Sequence, residues 1–320
     1  MPKIVEGRNL LRPFFSYICV NPNFGGKGKS IKPVKQRDFT IVECPRDAMQ
    51  GISHFIPTEK KIEYLKALLK CNFEVLDCGS FVNPESVPQM ADTNEVINAI
   101  SEIDTPTKLL VIVANERGAL KAVIHPKIKY LGYPFSLSET FQRRNTNSTQ
   151  QDSFIRLAKI QEIAVSSGKE VVAYISMAFG NPYGDEYHAE LAMHWADKIG
   201  SIGVRIISLA DTTGLANVND IQKIYSNLIP HFPHIDFGAH FHSKAFDWEN
   251  KIQAALDAGC TRFDGALLGF GGCPFAKDDL TGNIPMEHLV SFLNERGYIQ
   301  NEYGIDAKLL GLANAVFNLR

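Results

Sequence analysis

No apolar run in this 320-residue chain approaches the roughly 20 residues of a membrane-spanning helix, so no stretch of it is expected to insert in a bilayer. The chain also has no C-x-x-C pair. Its six cysteines (Cys19, Cys44, Cys71, Cys78, Cys260 and Cys273) are scattered, without the close spacing of a small secreted disulfide framework. Five of them lie in or beside apolar segments, where cysteine is a small core residue, and they read as reduced thiols of a cytosol-like compartment. Net charge is only −2, which gives no general surface for nucleic acid or other polyanions. No G-x-G-x-x-G follows the first expected strand, so dinucleotide binding has no support. Internal repeats and low-complexity tracts are absent from the domain as well.

What is present is a chain able to bury a large core, with 45% hydrophobic and 21% charged residues. Residues 1–38 differ from the rest. They carry eight Lys or Arg (Lys3, Arg8, Arg12, Lys27, Lys29, Lys32, Lys35, Arg37) against Glu6 and Asp38, with no sustained periodicity, and read as a flexible extension outside the domain. Such a basic start also resembles an organelle transit peptide, which would move the protein from the cytoplasm to the mitochondrial matrix. Asn23–Ser30 has the look of a phosphate loop, but Asn23 stands where that motif needs glycine.

From Phe39 onward short β-type runs alternate with amphipathic helical stretches. Strands are expected at Thr40–Cys44, Phe73–Cys78, Leu109–Ala114, Lys129–Pro134, Glu170–Ser176, Val204–Leu209, Ile235–His240 and Thr261–Ala266. Helical periodicity covers Glu59–Leu69, Thr93–Ile103, Gln151–Ser166, Glu186–Ile199, Val218–Leu228, Phe246–Ala258 and Met286–Arg296. That alternation predicts an α/β fold, a (β/α)8 TIM barrel over 39–320, with Ala307–Leu319 as an additional C-terminal helix. An open doubly wound sheet is the alternative. The polar run Arg143–Gln151 is expected as a loop after strand 4, a lid or substrate contact.

The centre of the chain's chemistry is Gly238-Ala239-His240-Phe241-His242. On a strand, side chains two apart point the same way, so His240 and His242 can share one ion. Barrel enzymes place reactive groups at the C-terminal ends of strands. Those ends carry Arg46, Asp47 and Gln50, then Asp77 and Ser80, then Asn115, Asp211, the two histidines and a glycine-rich loop with Cys273. One carboxylate, two imidazoles and an amide oxygen suit Mg²⁺ or Mn²⁺ better than zinc. Arg46 is suited to an oxyanion. Cys273 reads as a proton donor, a general acid or base, or a packed thiol.

Val42-Glu43-Cys44-Pro45-Arg46-Asp47-Ala48-Met49-Gln50, Ser80-Phe81-Val82-Asn83-Pro84, Ser138-Glu139-Thr140-Phe141 with Asn145, Asp211-Thr212-Thr213-Gly214, His240-Phe241-His242 and Gly271-Gly272-Cys273-Pro274 with Gly282-Asn283 and Glu287 resemble the 3-hydroxy-3-methylglutaryl-CoA lyases. These are barrel metallolyases related to isopropylmalate synthase. The resemblance implies that Asp47, His240, His242 and Asn283 hold a divalent cation, that Arg46, Gln50 and Asn115 meet an acyl-CoA substrate, and that Cys273, Arg46, Asp77 and Asp211 are catalytic. It implies cleavage of 3-hydroxy-3-methylglutaryl-CoA to acetyl-CoA and acetoacetate, a step of leucine or ketone-body metabolism, by an enzyme that is often a homodimer. A related condensing enzyme or aldolase on the same barrel is the alternative. The sequence departs from the family at Asp77, where glutamate is usual, at Ala48 for glycine, and at Ser243-Lys244 for Asp-Thr.

Overall fold

β-branched and aromatic residues concentrate in eight short runs that bury both faces, the pattern of a parallel sheet covered on each side. The computed structural model describes residues 38–244, 247–272 and 281–318. Its strands are β1 (Thr40–Glu43), β2 (Val75–Ser80), β3 (Lys108–Ile112), β4 (Ile128–Ser136), β5 (Glu170–Ser176), β6 (Ile206–Asp211), β7 (Asp236–Ser243), β8 (Arg262–Gly265) and β9 (Gly282–Asn283). Its helices are α1 (Pro45–Gln50), α2 (Thr58–Leu68), α3 (Thr93–Ile100), α4 (Glu116–Val123), α5 (Glu139–Thr146), α6 (Gln150–Ser166), α7 (Ala189–Ser201), α8 (Val218–His231), α9 (Trp248–Asp257), α10 (Met286–Glu295) and α11 (Ala307–Phe317).

Strands β1 to β8 pair in parallel in sequence order, and β8 returns to β1, so the sheet closes as the predicted (β/α)8 barrel. Alternation along each strand divides the core in two. Ile41 faces the helices, whereas Val42 joins Val75, Leu110, Tyr130, Val172, Tyr174 and Ile206 in the lumen. Six helices begin on a side-chain cap, among them Asn115, Ser138, Thr149 and Asp306, each accepting a bond from the third helical amide. Such a cap contributes about 1 kcal/mol and fixes where the loop before it stops.

Helix α11 packs outside the barrel as expected. Phe317 meets Tyr64 of α2 at 5.6 Å and Phe270 at 4.6 Å, so the last helix also buttresses the start of the glycine loop. Three helices were not foreseen. Helix α1 has six residues, and α4 buries only the small residues Gly118, Ala119 and Ala122, so neither presents a row of large apolar side chains in the sequence. The run Arg143–Gln151 is corrected from loop to helix over much of its length. Helix α5 continues to Thr146, the left-handed Asn147 ends it, and Gln150 already begins α6. Among the described residues no helix is long and apolar enough to cross a membrane. The expected extension at 1–38 lies outside the described residues except for Asp38, and Cys273 lies outside them too.

Candidate active site

Strand β1 ends at Glu43, and Pro45 at the first position of α1 turns the chain sharply into a helix. That turn brings Arg46 and Asp47 over the barrel mouth. Strand β7 delivers His240 and His242 on one face, with ring centres 5.1 Å apart. Candidate ligand atoms of Asp47, His240 and His242 all lie within 4.8 Å of one another. This is the trio expected from the sequence.

Asn283 reaches the same place through β9, which pairs antiparallel with β7 and sets His242 opposite Asn283. Its amide nitrogen donates to Asp47 Oδ2 at 2.8 Å and to the Phe270 carbonyl at 2.9 Å, which leaves Oδ1 as the atom for an ion. The loop must approach closely for this. Gly271 sits at φ 98°, and a Cβ there would stand 2.6 Å from Asn283 Nδ2 and 2.8 Å from Ala48 Cα. Only glycine fits both demands.

The second half of the site is Arg46, which is 8% exposed. Its Nε donates to both oxygens of Asp77 at 3.2 and 3.1 Å, its NH2 to Asp77 Oδ2 at 2.6 Å, and its NH1 to Asp47 Oδ1 at 3.1 Å and Gln50 Oε1 at 2.9 Å. Burial pushes the Asp77 carboxyl up while the guanidinium on both its oxygens pulls against it. Asp77 is therefore committed to Arg46, and Gln50 helps to aim it.

The charges favour a cation. Burial pushes Asp47 up, but Arg46, His240, His242 and the Asn283 amide outweigh it and hold the carboxyl well below its usual range. His242 is pushed down to about 4, first by burial and then by the charge of His240. His242 Nδ1 is buried with no well-aligned partner, although the Thr281 backbone lies close to the ring. Burial lowers His240 too, but the bond from Nδ1 to Asp264 Oδ2 at 3.1 Å and the charges of Asp264 and Asp47 raise it overall. That bond leaves Nε2 for an ion, the carboxylate–histidine arrangement common at metal sites. An ionised carboxylate, a neutral imidazole with an orphaned nitrogen and a carboxylate-oriented imidazole together fit a divalent cation.

Above this cluster opens a cavity of about 690 Å³, lined by Arg46, Asp47, His240 and His242 together with Ser80 and Asn115. Asn115 does double duty, because its Oδ1 also caps α4 through the Gly118 amide at 2.9 Å. The cavity wall from α5 and α6 adds Arg144, Asn145 and Arg156, two cations besides Arg46. Arg144 stacks over Tyr183 at 4.7 Å. Arg156 was not singled out from the sequence, where it looks like any charged residue of a long helix. Asp211 behaves differently from expectation. Ala210 and Thr212 line the cavity while Asp211 does not, and its Oδ2 accepts from Lys251 Nζ at 2.8 Å. The lumen holds one more unforeseen group, Cys44, close enough to His240 and Asp264 to share an ion. Burial, then Asp264 and Asp77, push that thiol well up and keep it protonated.

The HMGL-like family matches residues 40–316. Hydroxymethylglutaryl-CoA lyase YngG of Bacillus subtilis (strain 168) is 30% identical over 263 residues, covering 81% of this chain and 86% of that protein. The mitochondrial hydroxymethylglutaryl-CoA lyase of Mus musculus is 31% identical over 265 residues, covering 82% of this chain and 80% of that protein. A solved HMG-CoA lyase from Acenitobacter baumannii, in complex with coenzyme A and 3-methylmalate, superposes with a TM-score of 0.78 at 29% identity, covering 87% of this chain and 91% of that one.

Proposed function

The chain belongs to the HMGL-like family, and from that membership we propose that it is a carbon–carbon lyase that cleaves 3-hydroxy-3-methylglutaryl-CoA to acetyl-CoA and acetoacetate. The observation that carries the reading is the convergence of Asp47, His240 and His242 within 4.8 Å beside a buried arginine at the C-terminal mouth of the barrel. Asp47, His240 and His242, with Asn283 Oδ1 as the fourth, would hold Mg²⁺ or Mn²⁺. A cation held there would supply Lewis-acid polarisation of the substrate's oxygens.

The chain's own residues do the rest. A base takes the hydroxyl proton, the bond between C2 and C3 breaks, and its electron pair stays on C2 as the enolate of the acetyl thioester, while C3 becomes the ketone carbon of acetoacetate. Arg46, aimed by Asp77 and Gln50, supplies the fixed positive charge that this enolate requires. A proton must then reach the enolate carbon, the role that the family resemblance assigns to Cys273. Arg144 and Arg156 face the cavity as counter-charges for the anionic groups of an acyl-CoA. Four free buried cysteines among the described residues (Cys44, Cys71, Cys78 and Cys260) support a reducing, cytoplasmic setting.

The experiment is acetoacetate release from 3-hydroxy-3-methylglutaryl-CoA by the whole chain, with Mg²⁺ or Mn²⁺, with chelator, and with Cys273→Ala. Metal-dependent release that collapses in the variant is the expected result. A folded, metal-loaded protein that releases none sinks the proposal, and turnover of acetyl-CoA with a 2-oxo acid would install the condensing alternative in its place.

A further inference from the structure

A lysine on a barrel helix ordinarily reaches solvent, but Lys251 of α9 is 1% exposed. Its ammonium donates to Asp211 Oδ2 at 2.8 Å, to the Gly214 carbonyl at 3.0 Å and to the His242 carbonyl at 3.1 Å. An ammonium has three protons, and all three are spent. The other oxygen of Asp211 accepts the Ala216 amide at 3.1 Å, so the pair is saturated and neither member lines the cavity.

Each acceptor belongs to a different part of the site's support. Asp211 is the last residue of β6. Gly214 lies in the loop beyond it at φ 70°, and a Cβ there would stand 2.8 Å from Thr281 Cγ2, so this loop abuts the residue just before β9. His242 carries one of the clustered imidazoles, and its backbone pairs with Asn283 across β9. A single buried charge thus ties together the strand that bears the histidines, the neighbouring strand end and the loop against which Asn283 is brought in.

A buried ion pair is weak evidence for stability, because desolvating the two charges offsets most of their attraction. What three bonds from one ammonium do supply is fixed geometry. We propose that Lys251, neutralised by Asp211, is a positioning residue that holds His242 in register with Asp47, His240 and Asn283, and that Asp211 acts through Lys251 instead of on the substrate. The proposal rests on the reading of that cluster as a cation site. It assigns Lys251 a role that the sequence pattern, centred on Asp211 alone, did not suggest.

The test is Mn²⁺ affinity of the whole chain without substrate, read from the free-ion electron paramagnetic resonance signal, alongside a thermal melt. Lys251→Met is expected to raise the Kd for Mn²⁺ by about 10- to 100-fold, the range typical of residues that orient metal ligands. A role in stability alone lowers the melting temperature and leaves the Kd of the folded variant unchanged, and that result overturns the proposal. Should Lys251→Met fail to fold, Asp211→Asn/Lys251→Met leaves no unpaired buried charge. The same loss of affinity is expected in it, and wild-type affinity in the folded double variant equally overturns the proposal. Wild-type chain that binds no Mn²⁺ brings down the cation site and this proposal together, whereas wild-type binding with unchanged variants brings down this proposal alone.

Discussion

Asp77→Ala removes the acceptor of three of the five hydrogen bonds made by Arg46 and leaves a buried guanidinium with only Asp47 and Gln50. Breaking a buried pair from one side costs about 3–5 kcal/mol, because the stranded charge keeps its desolvation penalty. At roughly 2–4 °C per kcal/mol for a domain of this size, the circular dichroism melt should fall by about 6–20 °C. Activity should fall independently of stability. The planar fork that fixed the guanidinium is gone, and a shift of about 1 Å in a charge-stabilising group costs on the order of 100-fold in turnover. Acetoacetate release measured well below the variant's melting point should therefore drop by about 100-fold, expressed in kcat more than in KM. Asp77→Glu restores the charge and matches the residue usual in the resembling lyases. Its extra methylene costs about 1–3 kcal/mol of overpacking, so it should recover most of the kcat while melting below wild type. An Asp77→Ala protein that melts with the wild type and turns over at its rate would refute the assignment of Asp77 as the residue that aims Arg46.

Asp47→Asn keeps the shape of the cluster but removes its ionised carboxylate, so Mn²⁺ affinity by titration should fall by more than about 100-fold, beyond what loss of a supporting residue costs. Asp264→Asn frees the ring of His240 to rotate and to change tautomer, and should weaken Mn²⁺ by about 10- to 100-fold with the fold retained; unchanged binding would show that Asp264 does not orient His240. Asp185 accepts bonds from Ser138 Oγ, Thr140 N and Thr140 Oγ1 at the start of α5, and these outweigh burial and lower its pKa in the folded state. A depressed folded pKa gives stability that is present above the unfolded value of about 3.9 and is lost as pH falls through the folded value. Asp185→Asn should accordingly flatten the acid limb of stability below about pH 5, and a limb identical to wild type would count against that bond set.

The barrel was legible because its signals are local. Eight β-type runs separated by helical periodicity say where chain direction reverses, and parallel strands send every carboxyl end to one face, so Arg46, Asp47, His240 and His242 could be grouped without knowing the closure. The histidines were the clearest case, since period two alone puts both on one face. Helices α1 and α4 were invisible because α1 is only six residues long and the buried face of α4 is made of Gly118, Ala119 and Ala122, too small to stand out as an apolar stripe. The pairing of Asp211 was hidden for a different reason. Strand position tells which residues reach the barrel mouth, but it does not tell whether a neighbour has already claimed the side chain, and the claimant here, Lys251, lies 40 positions away on a helix where lysine normally marks the solvent face. The same holds for Asp264, whose bond to His240 spans 24 positions and two strands. The candidate ligands follow from local sequence pattern, whereas the groups bonded to them are set by register between strands and helices, and that register exists only once the barrel has closed.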